Sequence, residues 1–87
     1  MKVTLYTAPG CGPCLATKHA MSLRGIPFDL VDLRDDPDAM ERVQALGYRS
    51  APVVVVEDGD AVQHWSGFQL DLLTDLCARF SLVGDAA

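Results

Sequence analysis

The chain opens with Lys2-Val-Thr-Leu-Tyr-Thr7, where Val3 and Leu5 alternate with polar or β-prone neighbours, a period-two pattern that predicts a strand. Ala8-Pro-Gly-Cys-Gly-Pro13 breaks it. From Cys14 to Arg24 good helix formers return, with Ala16, Ala20 and Leu23 on one face as the expected core side. Gly25 ends that helix and Pro27 prevents its resumption. Phe28-Asp-Leu-Val-Asp-Leu33 reads as a short strand built on Phe28, Leu30, Val31 and Leu33. Asp35, Asp36 and Asp38 around Pro37 put acid at the positive end of a second helix, expected to reach about Gly47. Val53-Val-Val-Val56 is a continuous β-branched run suited to a strand covered on both faces. Asp58-Gly59 then signals a hairpin, with the return strand over Ala61 to Trp65. A last helix over Gln69 to Phe80 carries Leu70, Leu73, Cys77 and Phe80 on one stripe, widened by Leu72 and Leu76.

The order β-α-β-α-β-β-α predicts an α/β fold: a parallel β-α-β unit joined to an antiparallel hairpin in a four-stranded mixed β-sheet flanked by three helices. With 87 residues, the chain is expected to be one domain, 1–87, with a flexible polar tail at 84–87. The net charge of −5 and singly scattered basic residues argue against nucleic acid as a ligand. No apolar run reaches the roughly 18 residues of a membrane span, and Met1-Lys2 leads directly into the strand pattern, so no membrane association and a cytoplasmic location are expected.

The break after the first strand contains the chemistry. Cys11 and Cys14 stand three residues apart at a helix start, so both sulfurs can approach on one face of the first turn and a disulfide is sterically feasible. The helix N-terminus stabilises thiolate, and Cys11, nearer that terminus, is expected to attack a partner disulfide while Cys14 resolves the intermediate. Pro13 lacks an N–H where none is needed, and Gly12 admits a close partner backbone. Lys18 falls on the same side as Cys14 and Cys11 by helical spacing; it either adds positive potential near the thiolate or is simply solvated. One C-x-x-C can also supply half of a four-cysteine zinc site, but Cys77, His19 and His64 lack the spacing of a second half. Near a β-α-β pattern the motif reads as redox-active.

These residues resemble the thioredoxin superfamily over residues 2 to 80, which implies the thioredoxin fold. Cys11-Gly-Pro-Cys14 is the thioredoxin tetrad, yet Ala8-Pro9-Gly10 stands where thioredoxins carry a tryptophan. Ala16-Thr17-Lys18 and Trp65-Ser66-Gly67-Phe68-Gln69-Leu70-Asp71 resemble the NrdH-redoxins, glutaredoxin-like in sequence and thioredoxin-like in behaviour. The chain departs from their usual pattern at Gly12-Pro13. The resemblance implies reducing equivalents from NADPH through thioredoxin reductase, class Ib ribonucleotide reductase as client, no bound cofactor beyond the redox-active disulfide, no metal, and a monomer. Glutathione dependence is disfavoured, because bulky Phe68 follows Ser66-Gly67 where glutaredoxins show Gly-Gly and an acidic cluster.

Three further expectations concern individual residues. The resemblance implies a cis bond at Ala51-Pro52, leaving the Ala51 backbone beside the dithiol for strand addition by a substrate. Trp65 to Phe68 is expected to fix local structure, with Phe68 the surface contact. Cys77 reads as a small buried hydrophobe. Competing functions are a general thioredoxin-like reductant, a glutathione-dependent glutaredoxin, and an iron-sulfur-binding dimer of glutaredoxin-like chains.

Overall fold

The computed structural model describes residues 1–85. Four strands, β1 (Lys2–Thr7), β2 (Asp29–Asp32), β3 (Val53–Asp58) and β4 (Ala61–Ser66), form one sheet in the order β2-β1-β3-β4. Helices α1 (Gly12–Leu23), α2 (Pro37–Ala45) and α3 (Leu70–Asp85) connect or follow them. β1 runs parallel to β2 and antiparallel to β3, which is antiparallel to β4. This is the expected four-stranded mixed sheet with three helices.

The valine run fills the centre of that sheet and divides two cores. Val54 and Val56 pack with Val3, Leu5 and Trp65 against Ala20 and Met21 of α1 and Leu73 and Leu76 of α3. Val53 and Val55 point the other way, with Tyr6, onto Ala39 and Val43 of α2. All four valines are buried, as a strand with helices on both faces requires. The hairpin register pairs Asp58 with Ala61, so the loop is Gly59-Asp60. Gly59 takes φ 60° and Asp60 does not have a positive φ, the II′ arrangement with glycine first.

Several boundaries and one face differ from the sequence expectation. In α1 the buried residues are Cys14, Thr17, Ala20 and Met21, whereas Ala16 is exposed and Leu23 is 72% exposed. The expected Ala16, Ala20, Leu23 face is therefore rotated: Cys14, Thr17 and Met21 join Ala20 on the inward side. α2 ends at Ala45 rather than about Gly47, which takes φ 97°, outside helical geometry, and closes the turn with an N–H to the Gln44 carbonyl at 3.0 Å. β2 is narrower than expected, and Leu30 on this edge strand is 47% exposed. In α3 the fully buried pair is Leu73 and Leu76, with Cys77 and Phe80 only partly buried and Leu70 exposed. The helix runs past Phe80 to Asp85 and so takes in the first two positions of the tail expected at 84–87. The last two positions of that expected tail, 86–87, lie outside the described residues.

Candidate active site

β1 delivers the chain at its carboxyl end into the loop that holds Cys11, and α1 begins immediately after it. Gly10, at φ 70°, makes the turn that a residue with a Cβ adopts only under strain. Cys11 is the N-cap of α1: its backbone is extended, with φ −97° and ψ 104°, and its Sγ accepts the Cys14 backbone N–H at 3.1 Å. A cysteine here does what serine or aspartate does at other helix starts, satisfying a donor that the first turn leaves unpaired. The same N–H and the aligned peptide dipoles behind it stabilise negative charge on Cys11 Sγ once the disulfide opens.

Cys11 and Cys14 are joined as a disulfide, with their Cα atoms 5.2 Å apart. Their environments differ. Cys14 is 2% exposed on the inward face of α1, while Cys11 is half-buried and borders an open groove. An incoming reagent therefore meets Cys11 first. Pro13, exposed in the first turn, lacks only an N–H that the helix does not use there. Thr17, fully buried, donates its hydroxyl to the Pro13 carbonyl at 2.8 Å and ties the first turn to the second.

The second wall of the site comes from the loop before β3. The Ala51–Pro52 bond is cis, and the Ala51 carbonyl oxygen lies 3.7 Å from Cys11 Sγ. Pro52 is buried, and its carbonyl accepts the Gly67 N–H at 2.9 Å. Gly67 has φ 82°, so the Trp65-Ser66-Gly67-Phe68 segment turns back onto Pro52 at a position that favours glycine. Trp65 is 4% exposed, paired across the hairpin with Val54, and its Nε1–H has no partner among the described residues. The Ser66 carbonyl accepts from Gln69 Nε2 at 3.0 Å, and Phe68 is 43% exposed.

The structure thus gathers Cys11, Cys14, Ala51, Pro52 and Gly67 through direct contacts, with Gly12 and Pro13 inside the first turn. Lys18 stands apart: it is exposed and makes no hydrogen bond or ion pair with any described residue. Sequence reading missed the groove of about 430 Å3 beside Cys11, which Leu33, Arg34, Met40 and Arg49 line together with Ala51. Those residues come from separate loops and from α2, so no local spacing joins them. Among the described residues no three His, Cys, Asp or Glu side chains are grouped to hold a metal ion, and no helix is long and apolar enough to cross a membrane.

Residues 3–62 match the glutaredoxin family profile. The glutaredoxin-like protein NrdH of Escherichia coli is 40% identical over 76 residues, 87% of this chain and 89% of the relative. The solved structure of the glutaredoxin-like NrdH-redoxin from Escherichia coli, described as having a thioredoxin-like activity profile, superposes with a TM-score of 0.78 at 39% identity, covering 87% of this chain and 95% of that one. A glutaredoxin from Archaeoglobus fulgidus superposes with a TM-score of 0.73 at 25% identity, over 86% and 84% of the two chains.

Proposed function

The chain belongs to the glutaredoxin family, as a glutaredoxin-like protein of the NrdH type with a thioredoxin fold and a redox-active Cys11–Cys14 disulfide, and from that premise we propose a specific electron path through it. NADPH, through thioredoxin reductase, reduces the disulfide, and the resulting dithiol reduces class Ib ribonucleotide reductase in the cytoplasm. The observation that carries this reading is the likeness, over most of both chains, to an NrdH-redoxin whose activity profile is thioredoxin-like. Exposed Phe68 after Gly67 also supports a site that does not depend on glutathione.

The chemistry follows from the asymmetry of the two sulfurs. Cys11 thiolate, capped by the Cys14 N–H, attacks one sulfur of a client disulfide; the other client sulfur leaves as thiolate and takes up a proton. Cys14 then loses its proton and attacks Cys11, forming the intramolecular disulfide and releasing the second client thiol. Two electrons pass to the client, and the protein's dithiol becomes the disulfide. Ala51, beside Cys11, offers main chain along which an extended client segment can pair during the mixed-disulfide stage. Trp65, Ser66, Gly67 and Phe68 support that loop through the Gly67 to Pro52 hydrogen bond and the buried indole. Gly12 and Pro13 set the geometry of the helix start, while Lys18 remains a solvated side chain on the exposed side of α1.

A coupled assay of NADPH oxidation tests the path. Thioredoxin reductase is expected to reduce the oxidised protein and sustain turnover of a class Ib ribonucleotide reductase. Efficient turnover with glutathione and glutathione reductase, and none with thioredoxin reductase, would replace this reading with a glutathione-dependent glutaredoxin.

A further inference from the structure

The groove beside Cys11 has the opposite charge to the rest of the protein. The chain carries 12 acidic and 7 basic residues, yet the charged residues lining the groove are Arg34 and Arg49. Their situations differ. Arg34 is held by Asp32 at 3.3 Å and Asp35 at 3.9 Å, whereas exposed Arg49 has no ion pair or hydrogen bond among the described residues. Leu33 and Met40 give the groove apolar lining, where a charge contact is screened less than on open surface. A free guanidinium in such a place matches a carboxylate, which it can engage through paired N–H donors.

We infer that Arg49, with Arg34 beside it, selects client segments carrying an aspartate or glutamate next to the cysteine that Cys11 attacks. The inference rests on the proposed role as a disulfide reductant and adds the chemistry of the segment it prefers. The occupant is a polypeptide, because the groove ends at Ala51, where main chain stands 3.7 Å from the attacking sulfur and an extended segment can lie alongside it. Carboxylate capture by Arg49 then holds the client disulfide in line with Cys11 before exchange. Glutathione also carries carboxylates, so its disulfide serves as the rival occupant in the test.

Synthetic peptide disulfides identical except for Asp, Asn or Lys beside the attacked cysteine would be mixed with protein reduced by dithiothreitol and then freed of it, and the rate constants for peptide reduction compared. The wild type is expected to favour the Asp peptide over the Lys peptide by about three- to tenfold, the range that one or two partly exposed charge contacts supply, with the ratio narrowing in high salt. Arg49→Glu is expected to reverse the order of the Asp and Lys peptides, with circular dichroism checking that this loop variant stays folded. Equal rates for the Asp and Lys peptides in the wild type, or an unchanged preference in Arg49→Glu, would overturn the inference and leave the reductant role standing. Reduction of none of the peptides would overturn both. A loss on glutathione disulfide in Arg49→Glu as large as that on the Asp peptide would assign the groove to glutathione and overturn the polypeptide assignment.

Discussion

Replacing Trp65 by phenylalanine and by alanine separates a core residue from an active-site group. The indole packs among Val3, Leu5, Val54 and Leu73, with 4% of its surface exposed, and its Nε1–H has no partner among the described residues. Truncation to alanine removes nearly all of that packing and should cost about 3–5 kcal/mol, the usual range for a buried large aromatic. A domain of this size has roughly 4–13 kcal/mol in total, so Trp65→Ala should lose a large share of its stability. Trp65→Phe keeps one ring; the missing part of the indole costs about 1–2 kcal/mol, while removal of a buried unpaired donor returns about 1–3 kcal/mol. The two nearly cancel. Urea denaturation followed by circular dichroism should therefore place Trp65→Phe within about 1 kcal/mol of the wild type and Trp65→Ala several kcal/mol below it. Equal losses in the two variants would refute the reasoning, because the indole N–H would then be contributing a bond that the phenyl ring cannot replace.

Asp36 Oδ1 accepts the N–H groups of Asp38 and Ala39 at 3.1 and 3.3 Å, so Asp36→Ala should destabilise the fold by about 1 kcal/mol in thermal unfolding. Gly67 has open space where a Cβ would go but takes φ 82°, so Gly67→Ala should cost about 1–2 kcal/mol through backbone strain alone. Denaturation curves of that variant with the wild-type slope and a lower midpoint would confirm strain without loss of compactness.

Much of this protein can be read from local pattern, and what cannot has identifiable causes. Val53 to Val56 announce a strand covered on both faces, and the two cores meet there. Cys11 and Cys14 fall where a strand pattern gives way to a helix pattern, so their spacing places two sulfurs at a helix start. The rotation of the α1 face was hidden because burial there follows position, not hydrophobicity: Thr17 is fully buried while Leu23 is exposed. Met21, also fully buried, follows Thr17 by four residues and Cys14 by seven, so it lies on that same face. The groove was hidden for a different reason. Arg34 follows β2 and Arg49 precedes β3, and only the sheet order β2-β1-β3 brings both loops to the end of β1 where Cys11 lies. Such a juxtaposition belongs to topology and leaves no periodic signal.

The central proposal is that the half-buried, capped Cys11 attacks and the buried Cys14 resolves, and a trapping experiment tests it most directly. Each single cysteine-to-serine variant would be incubated with a disulfide substrate and the products read by intact mass spectrometry under non-reducing conditions. Cys14→Ser should accumulate a mixed disulfide through Cys11, because attack remains possible while resolution is lost, and Cys11→Ser should form almost none. A mixed disulfide that builds up on Cys14 in Cys11→Ser, and not on Cys11 in Cys14→Ser, would contradict the account.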